Sequence, residues 1–154
     1  MEELIQKGRL AKEASYYLSN LSALKKNEAL IKVADNLVNR KQLILEANRK
    51  DMDNGAKSGL QGAILDRLML DEKRILAMSD GLRQIALLDD PVGEVIMMKK
   101  RPNGLVVGQR RVPLGVIGII YEARPNVTSD VFGLCLKTGN AAILRGGKEA
   151  FLSN

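Results

Sequence analysis

Residues 111–148 constrain this chain more than any other stretch, because strand and helix signals alternate there at the spacing of a β-α-β unit. Residues 116–120 form an apolar, branched run broken only by Gly118, with the length of a strand buried on both faces. A polar turn follows, and Arg124-Pro125-Asn126 opens an amphipathic stretch over residues 127–138. Gly139 ends it, since glycine accepts the left-handed conformation that a helix end favours. A second apolar run, residues 141–144, leads into Arg145-Gly146-Gly147-Lys148. Two strands joined through one helix predict a parallel crossover, and ligands of open α/β sheets gather outside the carboxyl ends of such strands. Both polar turns fall at those ends.

Everything before residue 94 reads as helix. Leu4, Ala11, Ala14 and Leu18 keep one face of a first helix, and Leu30, Val33, Ala34, Leu37 and Val38 mark a second that Asn27 is placed to cap. A third, residues 41–50, is expected to stop at Asp51-Met52-Asp53-Asn54-Gly55, a cluster of turn formers. A fourth is expected from Ser58 to Leu70. Asp71 caps a fifth that runs to Leu88 with Ile75, Met78, Leu82, Ile85 and Ala86 inward, and Asp90-Pro91 blocks its continuation. These helices read as packing elements without chemistry of their own.

Residues 95–101 and 105–112 flank Pro102-Asn103-Gly104, and Asn-Gly is a strong hairpin signal because both residues tolerate positive φ. With Asn103 and Gly104 as a two-residue loop, Arg101 faces Val106, Lys100 faces Val107 and Met97 faces Arg110, so no like charges stand opposite one another. The net charge of +6, with basic residues at 99–101 and 110–111, raises nucleic acid as a partner. The hairpin has no aromatic residue for base stacking, so its charges read as guards of a sheet edge and no nucleic-acid partner is expected.

The 45% of hydrophobic residues predicts a folded chain. No apolar run reaches the roughly eighteen residues of a membrane span, and the amino terminus lacks the apolar core of a signal peptide. A cytoplasmic protein without a membrane partner is expected. A single cysteine permits no internal disulfide, and the absence of histidine removes the commonest metal ligand, so no metal is expected.

Residues 113–128, PLGVIGIIYEARPNVT, and residues 137–150, KTGNAAILRGGKEA, closely resemble the γ-glutamyl phosphate reductase family of the aldehyde dehydrogenase superfamily. LEAN at 45–48, LDRL at 65–68, DGLRQ at 80–84 and DPVGE at 90–94 extend the match upstream to about residue 40. The resemblance implies an aldehyde dehydrogenase-like α/β fold. Residues 1–94 would be the helical part of the cofactor-binding domain, residues 95–112 a projecting β-hairpin for subunit association, and residues 113–154 the first βαβ of a Rossmann-like NADP-binding domain, truncated. It also implies a reaction, the NADPH-dependent reduction of L-glutamyl 5-phosphate to L-glutamate 5-semialdehyde in proline biosynthesis. The substrate is then an acyl phosphate, attacked by a cysteine thiolate with release of phosphate, and the likeness suggests a homo-oligomer formed through residues 95–112.

Members of that family are longer, and their nucleophilic cysteine lies in a later domain. Cys135, flanked at helical spacing by Val131, Phe132, Leu134 and Thr138, reads as a packed side chain. The chain is therefore expected to be an amino-terminal, cofactor-side portion that is inactive alone. The alternative is a non-catalytic fragment that associates through its hairpin.

Site residues follow from the two turns. In the resembled superfamily an asparagine in the turn Pro-Trp-Asn donates its amide to the oxyanion, and here the turn is Ala123-Arg124-Pro125-Asn126. Asn126 is either that donor or an ordinary helix cap. Arg124 either binds the substrate's phosphate or carboxylate through its planar fork or forms a surface salt bridge. Arg145 falls where the superfamily has a lysine touching the adenosine ribose, and Lys148 where NAD-using members have a glutamate. Arg145 keeps a cation and Lys148 replaces an anion with one, so the pair favours a 2′-phosphate, hence NADP. Gly146 and Gly147 allow close approach of the cofactor to the backbone. The alternative for Arg145-Gly146-Gly147-Lys148 is a solvated turn.

Overall fold

Three helices carry the core, each through an apolar stripe at helical spacing. The structure, a computed structural model, describes residues 2–154. Helices α1 (Glu2–Leu18), α2 (Ala23–Asn39), α3 (Lys41–Lys57), α4 (Ala63–Leu68) and α5 (Glu72–Leu87) precede a hairpin of β1 (Val95–Lys100) and β2 (Val106–Arg110). Strand β3 (Val116–Ile120), helix α6 (Pro125–Lys137), strand β4 (Ala141–Arg145) and a 3-10 turn, Lys148–Ala150, follow. Leu30 and Ala34 of α2 meet Leu82 and Ala86 of α5 and Leu136 of α6. Gly133 lets α6 come close, since a Cβ there would stand 2.7 Å from the Leu82 Cδ2 and 3.0 Å from the Ile85 Cδ1.

Two buried lysines close one end of this bundle. Lys26 Nζ donates to both carboxylate oxygens of Asp90, at 2.9 and 3.2 Å. Lys137 Nζ donates to Asn27 Oδ1 at 2.8 Å and to the Ala86 carbonyl at 3.0 Å, satisfying an orphan acceptor in the last turn of α5. Asn27 is consequently not a cap. Helix α2 begins four residues earlier, where Ser22 Oγ accepts the Lys25 amide at 3.4 Å, and the Asn27 side chain is spent on Lys137.

The third and fourth helices differ from expectation. Helix α3 runs through the turn formers to Lys57, because Asp51 is buried against the chain's last residues and Gly55 lies beneath Leu60, Leu65 and Leu68. Tertiary contacts here override the local preference for a turn. Ser58 closes α3, and Leu60 N–H folds back onto the Gly55 carbonyl at 3.0 Å, so α4 is confined to Ala63–Leu68. Helix α5 matches its local signals: Asp71 Oδ1 accepts the Arg74 amide at 2.6 Å, and the predicted inward residues are buried except Ile85, which is half-buried.

Helix α1 packs along β4, but its stripe is only partly covered. Ala11 and Leu18 are half-buried, whereas Leu4 and Ala14 are exposed. Strands β3 and β4 pair in parallel, Val116 beside Ala141 and Ile120 beside Arg145, and Gly139 enters β4 at a φ of +70°. The expectation of a strand buried on both faces fails for β3. Its residues are half-buried or exposed, Ile120 at 82%, because the sheet has two strands and packs mainly against α1 and α6.

The hairpin forms where predicted, in a register shifted by one residue. Arg101 N–H donates to the Leu105 carbonyl at 2.7 Å and Gly104 N–H to the Arg101 carbonyl at 2.9 Å, which makes Pro102-Asn103-Gly104 a three-residue loop. Gly104 alone takes positive φ there, and the fixed φ of Pro102 suits the first position of such a loop. Lys100 therefore faces Val106, Lys99 faces Val107 and Met97 faces Gln109, and a bulge brings Val95 opposite Arg110. No like charges are opposed in this register either. Every residue of both strands is exposed.

Candidate functional site

The turns beyond β3 and β4 lie side by side because their strands are in parallel register. Tyr121 N–H donates to the Arg145 carbonyl at 3.1 Å, and Glu149 Oε1 accepts the Ala123 amide at 2.7 Å, fastening one turn to the other. Ala123 and Ala150 share a small apolar cluster with Leu68 and Met52 beneath them. From α3, Asp51 accepts the amides of Leu152 and Ser153 at 3.0 and 2.7 Å and the Ser153 hydroxyl at 2.7 Å. Asn48 donates to the Leu68 carbonyl and to Ser153 Oγ and accepts the Leu70 amide.

Asn48, Asp51 and Glu149 are thus the supports of the site, and none of them is among the site residues expected from the sequence. Polar residues spaced i, i+3 on the inner face of a helix were the available signal, because a buried polar group must find a partner.

Arg124 precedes Pro125, the first residue of α6, and no side chain caps that helix. It is exposed and lines two adjoining hollows. The first, about 450 Å³, carries Asp66, Arg67, Arg74, Arg124, Asn126 and Asp130 in its lining. The second, about 770 Å³, runs past Tyr121 and Glu122 to Gly147 and Glu149. Arg124 forms no salt bridge among the described residues.

Asn126 is the second residue of α6 and not its cap. Its Nδ2 donates to Asp130 Oδ2 at 3.3 Å, one turn along the helix. Burial pushes the Asp130 carboxyl above its ordinary range, and the Asn126 hydrogen bond opposes that shift. At such a helix start the unpaired backbone amides add positive potential for an anion.

Arg145 and Lys148 stand exposed at the same end of the sheet, neither in a salt bridge among the described residues. Between them, a Cβ on Gly146 would collide with the Asn154 amide and one on Gly147 with the Glu149 carboxylate. Cys135 is buried, and burial pushes its thiol up, which disfavours the reactive thiolate. It lies nine residues beyond Asn126 on the same helix, about 14 Å along the axis. Among the described residues no group of three His, Cys, Asp or Glu could hold a metal ion.

Over 154 residues the chain is 60% identical to a gamma-glutamyl phosphate reductase of Clostridium botulinum, and 58% identical to one of Carboxydothermus hydrogenoformans. The crystal structure of gamma-glutamyl phosphate reductase from Thermotoga maritima matches 99% of the chain with a TM-score of 0.95 at 45% identity. Along its length the chain is similar to these gamma-glutamyl phosphate reductases. The structure of that reductase from Saccharomyces cerevisiae covers 96% of the chain with a TM-score of 0.90 at 35% identity. The chain spans 37% of the Clostridium relative's length and 37% of the Thermotoga chain. No protein-family model matches it.

The likeness to gamma-glutamyl phosphate reductase, legible in the sequence from about residue 40 onward, therefore extends through α1 and α2 as well. The residues singled out in the sequence fall into two groups. Arg124 and Asn126 open α6, Arg145 to Lys148 follow β4, and the Ala123–Glu149 hydrogen bond joins the two turns. No helix among the described residues is long and apolar enough to cross a membrane.

Proposed function

We propose that this chain is the cofactor-side portion of a cytoplasmic NADPH-dependent reductase that converts L-glutamyl 5-phosphate to L-glutamate 5-semialdehyde, releasing phosphate, in proline biosynthesis. The observation that carries the reading is the match to gamma-glutamyl phosphate reductases over the whole chain, at 60% identity and a TM-score of 0.95. The nucleophile is supplied outside this segment, since Cys135 is buried and remote from Asn126.

NADPH, when bound, supplies the hydride. Arg145 and Lys148 are two exposed cations at the end of β4, a charge that suits the 2′-phosphate of the adenosine. Arg124 binds the acyl phosphate oxygens. Asn126 donates its amide to the oxygen that gains negative charge as the acyl carbon becomes tetrahedral, where a preorganised donor acts most strongly.

In the full-length reductase that carries this segment, Lys148→Glu is expected to lower the preference for NADPH over NADH by roughly 10- to 100-fold, the worth of a charge-assisted hydrogen bond. The ratio of kcat/KM for the two cofactors measures it, and an unchanged ratio refutes the assignment. Failure of that enzyme to oxidise glutamate semialdehyde with NADP and phosphate refutes the reaction.

The hairpin acts in this reading as a subunit contact. Its support is an arm whose Ile96, Met98, Val106 and Val107 are all exposed, with lysine and arginine keeping the edge soluble until it is paired. Val107→Glu is expected to move the protein from oligomer to monomer by light scattering at micromolar concentration. An unchanged mass overturns the assignment.

A further inference from the structure

The hollow beside Asn126 holds more charge than an acyl phosphate alone requires. Asp66 and Arg74 neutralise each other at 2.9 Å, and Arg74 also donates to the Met69 carbonyl at 2.7 Å, so this pair serves to hold the end of α4 to the start of α5. Arg67, Arg124 and Asp130 remain in the lining without an ion pair among the described residues. An acyl phosphate made from an amino acid brings a phosphate, an α-carboxylate and an α-ammonium. The signs correspond one to one once Arg124 takes the phosphate.

We propose, resting on the reductase reading above, that this hollow is the subsite for the charged amino-acid end of the substrate, with Asp130 binding the α-ammonium and Arg67 the α-carboxylate. The reach agrees. An ammonium four bonds from the reacting carbon lies about 5 Å from it in an extended chain. Asp130 Oδ2 is 3.3 Å from the Asn126 amide that faces the reacting oxygen, so one molecule of this length touches both.

Asp130 has capacity for the contact. A carboxylate offers about four lone-pair sites, and Asn126 occupies one of them with a long hydrogen bond. Burial without a cation disfavours its charged form, and an arriving ammonium relieves that penalty. Arg67 is exposed on α4, and its side chain lines both hollows. A space of about 450 Å³ is ample for a five-carbon substrate.

The test uses the full-length reductase, assayed in the oxidative direction with NADP and phosphate on three aldehydes. These are L-glutamate 5-semialdehyde, 5-oxopentanoate, which lacks the amino group, and butanal, which lacks both charges. The unaltered enzyme is expected to prefer the first over the second by roughly 10- to 100-fold in kcat/KM. Asp130→Asn, which keeps the side-chain volume and an acceptor for Asn126, is expected to bring those two within a few-fold of each other. Arg67→Gln is expected to narrow the gap between 5-oxopentanoate and butanal.

Equal losses on all three aldehydes, with the ratios unchanged, overturn the subsite and leave Asp130 a structural role. Turnover by the unaltered enzyme without preference for the amino group overturns it as well. Absence of turnover on every aldehyde instead sinks the reductase reading beneath it.

Discussion

Lys26→Ala is expected to destabilise this chain by about 3–5 kcal/mol, the cost of breaking a buried ion pair by removing one partner. Lys26 is fully buried and the Asp90 side chain is 15% exposed, so the carboxylate left behind keeps only the Val92 amide at 3.0 Å. The same ammonium also donates to the Lys137 carbonyl at 3.4 Å, so of α2's polar contacts with the end of α6 only that between Asn27 and Lys137 Nζ is left. A domain's whole margin is of order 5–15 kcal/mol, so urea unfolding should show a large shift in midpoint. Lys26→Met keeps the apolar stem and isolates the charge, and adding Asp90→Asn to it should recover part of the loss. A loss below about 1 kcal/mol, typical of a surface pair, would contradict the role given to Lys26.

Asn126→Ala is expected to act on rate instead. In the full-length reductase kcat should fall by about 10²–10³, as when one oxyanion donor is removed, with the KM for NADPH unchanged. The fold should tolerate the change, because the side chain caps nothing and its single hydrogen bond, to Asp130, is 3.3 Å long. Steady-state kinetics beside a melting curve separate the two effects. A fall in kcat of less than tenfold removes Asn126 from the reaction.

Much of the fold was legible because its signals are local. Asp71 three residues before Arg74, the stripe from Ile75 to Ala86 and the block at Pro91 together specify α5 without reference to any other element. The β3-α6-β4 unit was legible for the same reason, down to the left-handed Gly139. The chemistry-bearing turns at its strand ends could be named in advance, since strand ends are where such sheets expose their loops.

Where local signals competed, the sequence misled. Asp51 to Gly55 is turn-forming by composition, yet Asp51 is worth more as an acceptor for the Leu152 and Ser153 amides, and the helix continues through it. Asn27 looked like a cap, but Lys137 reaches it from 110 residues away. Pro102 decided the hairpin loop by preferring the first position of a three-residue turn, and this moved the register by one.

The sequence by itself determined the elements, the family likeness and the turns where charge would act, because periodicity, caps and breakers are written within a few residues of where they operate. Only the tertiary structure decided how the polar residues are used. A buried amide or carboxylate is stable only beside a partner, and the partners of Lys26 and Asp51 lie 64 and 102 residues distant, where no local pattern can specify them.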